Sequence, residues 1–393
     1  MKLKYKKLIK KAVIIGALIL FIIIFSLLKL NENISEYFFA RGISRAFVFV
    51  TGNISDAFGF SIFSLFVITA IIALIVCIAV FAVYLKKKCR TRAIALLERM
   101  VICALTIVLI YAGTAGGCYN RKEMPLPQYV GEQLSAEETS RLISAYLKDF
   151  NNVTDNISYD ENGKSICPYS FEETCDLLKT EYKRLNSDYF SEYTPYPKKS
   201  FFSSFLSYQG ITGITFQPLG EACINTETPE CYRILTMAHE IAHTKGVMRE
   251  RDANLLAYYL LLTSEVPYFR YCGYMYSLGY LTNILHSLDK DLYVSAISGY
   301  PEKARKDYLL ECEFWETKQS ILDDISSFFN DLYLKLSGIK EGTSNYYDPS
   351  DITHSTEIVD DIPVTVIKVT YSDTARVLIE ILITAESPAS VYL

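Results

Sequence analysis

Four histidines occur in the 393-residue chain, and two of them lie in the sequence His239-Glu240-Ile241-Ala242-His243. On an α-helix, residues four positions apart share one face, so both imidazoles reach a single ion, and Glu240 lies next to them. A zinc ion with three protein ligands keeps a fourth position for water and lowers its pKa toward ~7, which lets a carboxylate such as Glu240 take the proton. Since this composition gives the pattern by chance in roughly 1 of 400 such chains, we interpret it as a site for one zinc ion.

A third zinc ligand is expected just downstream of this helix. Gly246 is suited to end the helix in the left-handed conformation, and a second helix is predicted over residues 248–262. On that helix Glu250 and Asn254 share a face, whereas Asp252 points roughly 200° away from Glu250. We therefore predict Glu250 as the third ligand and Asn254 as a hydrogen-bond partner behind the ligands, with Asp252 as the alternative ligand.

The extended motif resembles a known family. Its residues are His239-Glu-x-x-His243-x-x-Gly246-x-x-x-Glu250-x-x-Ala253-Asn254, preceded by Gly213, Gly220-Glu221-Ala222 and Asn225. This pattern looks like that of bacterial integral-membrane zinc peptidases catalogued mainly as a domain of unknown function, and the similarity covers most of the chain. The resemblance implies a zincin-like fold. The segment from Glu250 to Asn254 also resembles the Glu-x-x-Ala-Asp segment of other membrane zinc peptidases, with Asn254 in place of the Asp.

The resemblance also implies how a substrate binds. In zincins an edge strand before the active helix binds the substrate backbone by strand addition, and residues 210–217 are the candidate, with Gly210 and Gly213 allowing close approach. Charge that develops on the carbonyl oxygen needs a hydrogen-bond donor as well. The candidates for that donor, among which the sequence does not choose, are Tyr258, Tyr259, Tyr271, Tyr274 and His286.

Three stretches of the chain satisfy the length and apolarity of a membrane-spanning helix: residues 12–28, 60–85 and 100–118. The first follows a basic start and has the alternative of a signal peptide. However, Lys29, Leu30, Asn31 and Glu32 follow it rather than a small-residue cleavage site, which favours an uncleaved anchor.

Basic residues predict the orientation in the membrane. They cluster before the first stretch and between the second and third, where Lys86, Lys87, Lys88, Arg90 and Arg92 lie. Because short cytoplasmic loops are rich in Lys and Arg, we expect a multi-pass protein of the cell membrane with a cytoplasmic N-terminus and an extracytoplasmic catalytic domain. The net charge of -5 and the position of the basic residues argue against a nucleic-acid surface.

The predicted organisation is a membrane region over residues 1–118, a linker over 119–131, and an α+β, helix-dominated, zincin-like domain over 132–393. Helices are expected over residues 135–150, where Ser135 and Glu138 form a capping box, and over 171–186. Strand is expected before the active helix, within residues 201–225. Near the C-terminus, two segments rich in Val, Ile and Thr are expected to form either a small strand pair or a packed terminal helix: residues 362–371 and 377–384.

Two cysteine pairs, Cys223 with Cys231 and Cys167 with Cys175, have spacings that permit disulfides in an oxidising compartment. No cysteine pair has the two-residue spacing of structural zinc sites, so zinc binding by thiolate is not expected.

The sequence thus predicts a membrane-anchored zinc metallopeptidase that hydrolyses peptide or protein substrates outside the cytoplasm. Alternatives are a zinc-binding membrane sensor or scaffold without turnover, a cell-wall amidase with the same zinc chemistry, and a membrane structural protein with a fortuitous motif.

Overall fold

The computed structural model describes residues 2–185, 187–347, 349–359 and 362–386, and it has a helix-dominated α+β architecture. Three helices near the N-terminus are long and apolar enough to cross a membrane. Their apolar parts run over Ile9–Leu28, Ile62–Lys86 and Arg90–Cys118.

The N-terminal region is almost entirely helical. Its elements are α1 (Lys2–Leu28), a π-helical segment (Ile34–Ser44), α2 (Arg45–Asp56), α3 (Ile62–Lys86) and α4 (Arg90–Gly113). The helix that contains most of the third apolar stretch, predicted over residues 100–118, begins at Arg90, ten residues before that stretch. Its charged first half stays helical against α1, where Lys11 pairs with Glu98.

The rest of the chain alternates short strands with helices. The elements up to the active helix are α5 (Ala136–Asp155), β1 (Ser158–Tyr159), β2 (Ser165–Ile166), α6 (Phe171–Lys183), β3 (Lys198–Lys199), α7 (Ser203–Ser207), β4 (Gly213–Phe216), β5 (Glu221–Ile224) and α8 (Glu230–Thr244). After it come α9 (Glu250–Leu262), α10 (Pro267–Ser277), α11 (Gly279–Leu288), α12 (Lys290–Ile297), α13 (Glu302–Glu316), α14 (Ile321–Ser337), β6 (Asp351–Val359), β7 (Ile362–Thr370) and α15 (Asp373–Glu386).

The predicted helix starts are confirmed by their caps. Ser135 and Glu138 form the expected capping box of α5, and Ser170 with Glu173 forms a second one at the start of α6. The predicted end of α6, Asn186, lies outside the described residues, and the helix ends at Lys183.

The C-terminal region contains both of the expected alternatives. β7 pairs in antiparallel register with β6, and the following segment, which includes residues 377–384, is the helix α15. The second Val- and Ile-rich run is therefore helical, and the partner of β7 lies upstream of it in the chain.

A three-stranded sheet lies on one side of the site. Its order is β3-β5-β4, with β5 in the centre, parallel to β3 and antiparallel to β4. The helix α8 packs against β4 and β5 and, on its other sides, against α9 and α10. Because it is enclosed on several sides, α8 is apolar around most of its circumference, with Ile234, Met237 and Ala238 fully buried.

The two proposed disulfides are not formed. All ten cysteines are described, and each is a free thiol. Cys223 lies in β5, where its sulfur contacts Ser61 and Glu221, while Cys231 lies at the start of α8 against Met275. Chain spacing alone predicted the pairs, but the strand and the helix direct these two side chains to different neighbours.

Candidate metal centre

The active helix α8 ends in a turn that shapes the site. Gly246 has φ +82°, its N–H donates to His243 O at 2.9 Å, and Val247 N–H donates to Ala242 O at 3.2 Å. This is the Schellman arrangement, in which a left-handed glycine closes the last turn. The turn brings the carbonyl of Val247 back toward α8.

That carbonyl orients the imidazole of His243. The Nδ1 atom lies 2.7 Å from Val247 O, and since a carbonyl only accepts, Nδ1 carries the proton. The Nε2 atom of His243 therefore faces Glu250.

The imidazole of His239 is oriented in the same way by a residue on α9. Asn254 Nδ2 donates to Tyr346 O at 2.7 Å, which leaves Asn254 Oδ1 as an acceptor 2.8 Å from His239 Nδ1. Nδ1 of His239 is therefore protonated as well, and its Nε2 faces Glu250, where it would be a ligand of a bound metal.

Three ligand atoms converge on one point. Glu250 Oε2 lies 3.1 Å from His239 Nε2 and 3.4 Å from His243 Nε2, and one ligand atom of each residue lies within 4.8 Å of the others. Zinc bonds of about 2.0–2.1 Å in tetrahedral geometry place ligand atoms about 3.3 Å apart. The donor set, its spacing and the orientation of both rings therefore fit zinc.

The charges of the three residues reflect this proximity. Burial lowers the pKa of His243, but the Glu250 carboxylate beside it raises that pKa more, to about 9. Burial raises the pKa of Glu250, but His243 and His239 together hold it well below its usual range. The start of α9 also favours a carboxylate at Glu250, which is the first residue of that helix.

Glu240 lies beside the ligands and is held by the edge strand β4. Thr215 Oγ1 donates to Glu240 Oε2 at 2.6 Å and is also within 2.8 Å of the Glu240 carbonyl oxygen. A Cβ at Gly213 would lie 2.6 Å from Glu240 Cγ, so only glycine allows this approach. One face of β4 therefore fixes the position of the candidate base.

A cleft of about 950 Å³ opens over the three ligands and Glu240. One wall is the segment from Gln209 through β4, and the opposite wall is α14. Tyrosines from several elements line it, namely Tyr119, Tyr232, Tyr258, Tyr276, Tyr280, Tyr333, Tyr346 and Tyr347.

The remaining residues predicted from the sequence fall into two groups. Gly210, Gly213 and Tyr258 line the cleft. Asp252 instead pairs with Arg251 at 3.2 Å and is not one of the three converging residues. Tyr259, Tyr271, Tyr274 and His286, which were predicted as candidate donors, pack outside the cleft.

Among the cleft residues that had no predicted role are two whose contacts bear on the chemistry of the site, Thr215 and Tyr346. Thr215 lies two positions after Gly213, and because side chains alternate along a strand, this spacing places both on one face. Tyr346 lies in a short 3₁₀ turn far along the chain, where no local signal marks it. Burial and the Glu250 carboxylate raise the pKa of Tyr346, so its hydroxyl keeps its proton, and this hydroxyl accepts from Asn330 Nδ2 at 3.1 Å.

Comparison with known proteins gives one match. The model of a family described as "Protein of unknown function (DUF3810)" matches residues 37–350, which include the motif and the cleft. This agrees with the resemblance to a domain of unknown function and carries no statement of activity. No curated protein and no solved structure matches the chain.

Proposed function

Since the chain belongs to the DUF3810 family, whose description names no function, we propose from the site geometry that it is a membrane-anchored, zinc-dependent metallopeptidase. The observation that supports the proposal is the convergence of His239, His243 and Glu250, with both imidazoles turned so that Nε2 faces the Glu250 carboxylate. An ordinary surface pair of histidines has no need of two dedicated acceptors and a buried carboxylate.

The residues around the ligands supply the parts of peptide hydrolysis. When bound, zinc is a Lewis acid that makes water acidic enough to lose a proton near neutral pH. Glu240, held by Thr215, is placed to take a proton from the attacking water and to return it to the leaving amine. Tyr346 donates a hydrogen bond to the developing oxyanion, and Asn330 keeps its hydroxyl in place.

The edge strand supplies a binding surface for an extended polypeptide. β4 pairs with β5 along one edge, and its residues Gly213 to Thr215 line the cleft along the other. A substrate that adds as a further strand receives backbone hydrogen bonds there, and its scissile bond comes to lie beside Glu240.

We place this catalytic region outside the cytoplasm. The basic turn between α3 and α4 lies at one end of these helices, and short basic loops stay in the cytoplasm. The site is attached to the opposite end, where Ile62 and Phe63 at the start of α3 donate backbone N–H groups to Glu221 of β5.

The test is hydrolysis of a randomised peptide pool by the zinc-loaded full-length chain, with cleavage followed by mass spectrometry. We expect Glu240→Gln to lose at least about 10²-fold in kcat while its zinc content stays unchanged, because the substitution removes the base and keeps the ligands. Tyr346→Phe should lower kcat, also without loss of zinc. A chain that holds zinc but cleaves nothing would support the sensor or scaffold alternative instead.

A further inference from the structure

The helix α14 exposes a continuous apolar face. Ile321, Ile325, Phe328, Leu332 and Leu336 are three or four positions apart, so they form one stripe along the helix. All five are exposed, with Phe328 66% and Leu336 78% accessible. An exposed apolar stripe of this length indicates a surface that is covered by a membrane or by another protein.

The C-terminal end of α14 is fixed to the ends of candidate membrane-spanning helices. Tyr333 Oη lies 3.1 Å from Tyr111 Oη, in the last turn of α4, and Ser337 O accepts from Lys29 Nζ, just after α1, at 3.0 Å. This end therefore lies where α1 and α4 leave the membrane.

The N-terminal end lies near the start of the remaining span. Ser320 Oγ donates to Tyr208 O at 2.7 Å, next to the short helix α7. On the other side of α7, Phe201 N–H donates to Ser64 Oγ at 3.4 Å and its ring stacks on Phe60, at the start of α3. The 17 residues of α14, about 25 Å long, thus bridge two points at the level of the membrane boundary.

We propose that α14 lies in the headgroup region of the bilayer with this stripe in lipid, and that the cleft takes polypeptide segments held at the membrane surface. The bilayer is the occupant because both ends of the stripe are continuous with spans that lipid already surrounds. The flanking exposed residues Asp324 and Lys335 are charged, as expected at the border between lipid and water.

The second half of the proposal rests on the proposed peptidase function and names its substrate class. Phe329 and Tyr333 of α14 line the cleft, and Ile325 lies at the border between the cleft and the stripe, so one helix separates the site from the lipid. β4 is close to the bilayer as well, because Phe216 stacks on Phe63 of α3 with ring centroids 4.9 Å apart. One helix diameter of about 10–12 Å is covered by three or four residues of extended chain.

The position of α14 is tested with single tryptophans in the full-length chain, in a Trp315→Phe background reconstituted into vesicles with brominated lipids. We expect bromolipid to quench Phe328→Trp and Leu336→Trp strongly. It should leave a control, Val294→Trp on α12, unquenched, since Val294 is equally accessible at 62% but its helix packs on α5 and α11.

Two outcomes would overturn this position. Tryptophans that bromolipid does not quench and acrylamide does would place the stripe in water. Tryptophans protected from both quenchers would place a protein surface, such as a second copy of the chain, on the stripe.

The substrate class is tested with a randomised pool of roughly 30-residue peptides, each carrying a palmitoyl anchor in the same vesicles. We expect the cuts to fall within about ten residues of the anchor, since the cleft lies one helix diameter from the lipid. Cuts spread evenly along the peptides would overturn this substrate class. If nothing is cleaved, the peptidase function fails, while the quenching result still decides the position of α14.

Discussion

Each imidazole of the proposed metal centre is oriented by one hydrogen bond from Nδ1, which turns Nε2 toward Glu250. For His243 the acceptor is the Val247 carbonyl, and for His239 it is Asn254, whose own orientation is set by Tyr346 O. Such partners fix the tautomer and the ring plane, and they commonly matter for metal affinity almost as much as the ligands.

Asn254→Ala should weaken zinc affinity by about 10–100-fold, because His239 loses the acceptor that holds its ring. The measurement is competition for zinc against a chelator of known affinity, with the full-length chain. Asn152→Ala, an exposed asparagine on α5, is the matched control and should bind zinc as the unsubstituted chain does. Equal affinity in both variants would contradict the role of Asn254.

Residues at helical spacing from the motif were predictable, and residues from distant segments were not. Glu250 and Asn254 follow from the four-residue period of one helix after one turn. Tyr346 comes to the site only because the chain returns after α14, which no local pattern encodes. Of the five oxyanion donors predicted from the sequence, Tyr258 lines the cleft and the other four pack outside it, because local sequence does not show which side chains face the cleft.

At the scale of elements, the turn after α8 links the backbone conformation of Gly246 to the orientation of His243, a proposed metal ligand. Gly246 adopts a left-handed conformation that costs other residues roughly 1–2 kcal/mol. A Cβ there would also lie 3.1 Å from Arg121 Nη1. A shift of this turn would also move the Val247 carbonyl, which accepts the hydrogen bond that orients His243.

Gly246→Ala should therefore lower the thermal unfolding midpoint and weaken zinc binding together. Gly279→Ala is the control, since Gly279 begins α11 with nothing within 4 Å of its added Cβ, and it should be neutral or slightly stabilising. Both are measured on the full-length chain in detergent, with and without zinc. A Gly246→Ala chain that unfolds and binds zinc as the unsubstituted chain does would refute this coupling.

Element types were predicted best where the pattern is local. The apolar stretches, the capping box of α5 and the strand before α8 are encoded by a few neighbouring residues. The pairing of β7 with β6 and the free state of Cys223 depend on which segments meet in space. The spacing of residues along the chain does not show which distant segments come into contact.

At the scale of the whole molecule, a buried ion cluster joins the π-helical segment to the end of α8. Glu36, in the π-helical segment, accepts from Arg121 Nε at 2.9 Å and from Arg41 Nε at 2.6 Å. Arg121 also donates to Lys245 O, just after α8, at 3.0 Å. The segment predicted as a linker, residues 119–131, is therefore packed at Arg121 against both sides.

This cluster predicts an acid-sensitive contribution to stability. Burial raises the pKa of Glu36, but hydrogen bonds from Arg121 and Arg41 outweigh it and leave the pKa below its usual 4.5. A depressed folded-state pKa means that the stabilisation is complete above pH 4.5 and is lost as pH falls through the lower folded value.

Glu36→Gln should lower stability at pH 7 by roughly 3–5 kcal/mol, as expected when one partner of a buried ion pair is removed. The difference from the unsubstituted chain should shrink as the pH falls from 4.5 through the lower folded pKa, at which Glu36 of the folded chain becomes neutral. Unfolding of both chains in detergent is measured from pH 7 down to pH about 3. A difference that stays constant over this range would exclude the ion cluster as its source.

The central claim is a zinc site built from His239, His243 and Glu250, and the most direct measurement is the zinc content of the purified full-length chain. We predict about one zinc per chain, retained in Asp252→Ala and lost in His239→Ala and Glu250→Ala. No zinc in the unsubstituted chain, or equal zinc in all four, would contradict the account.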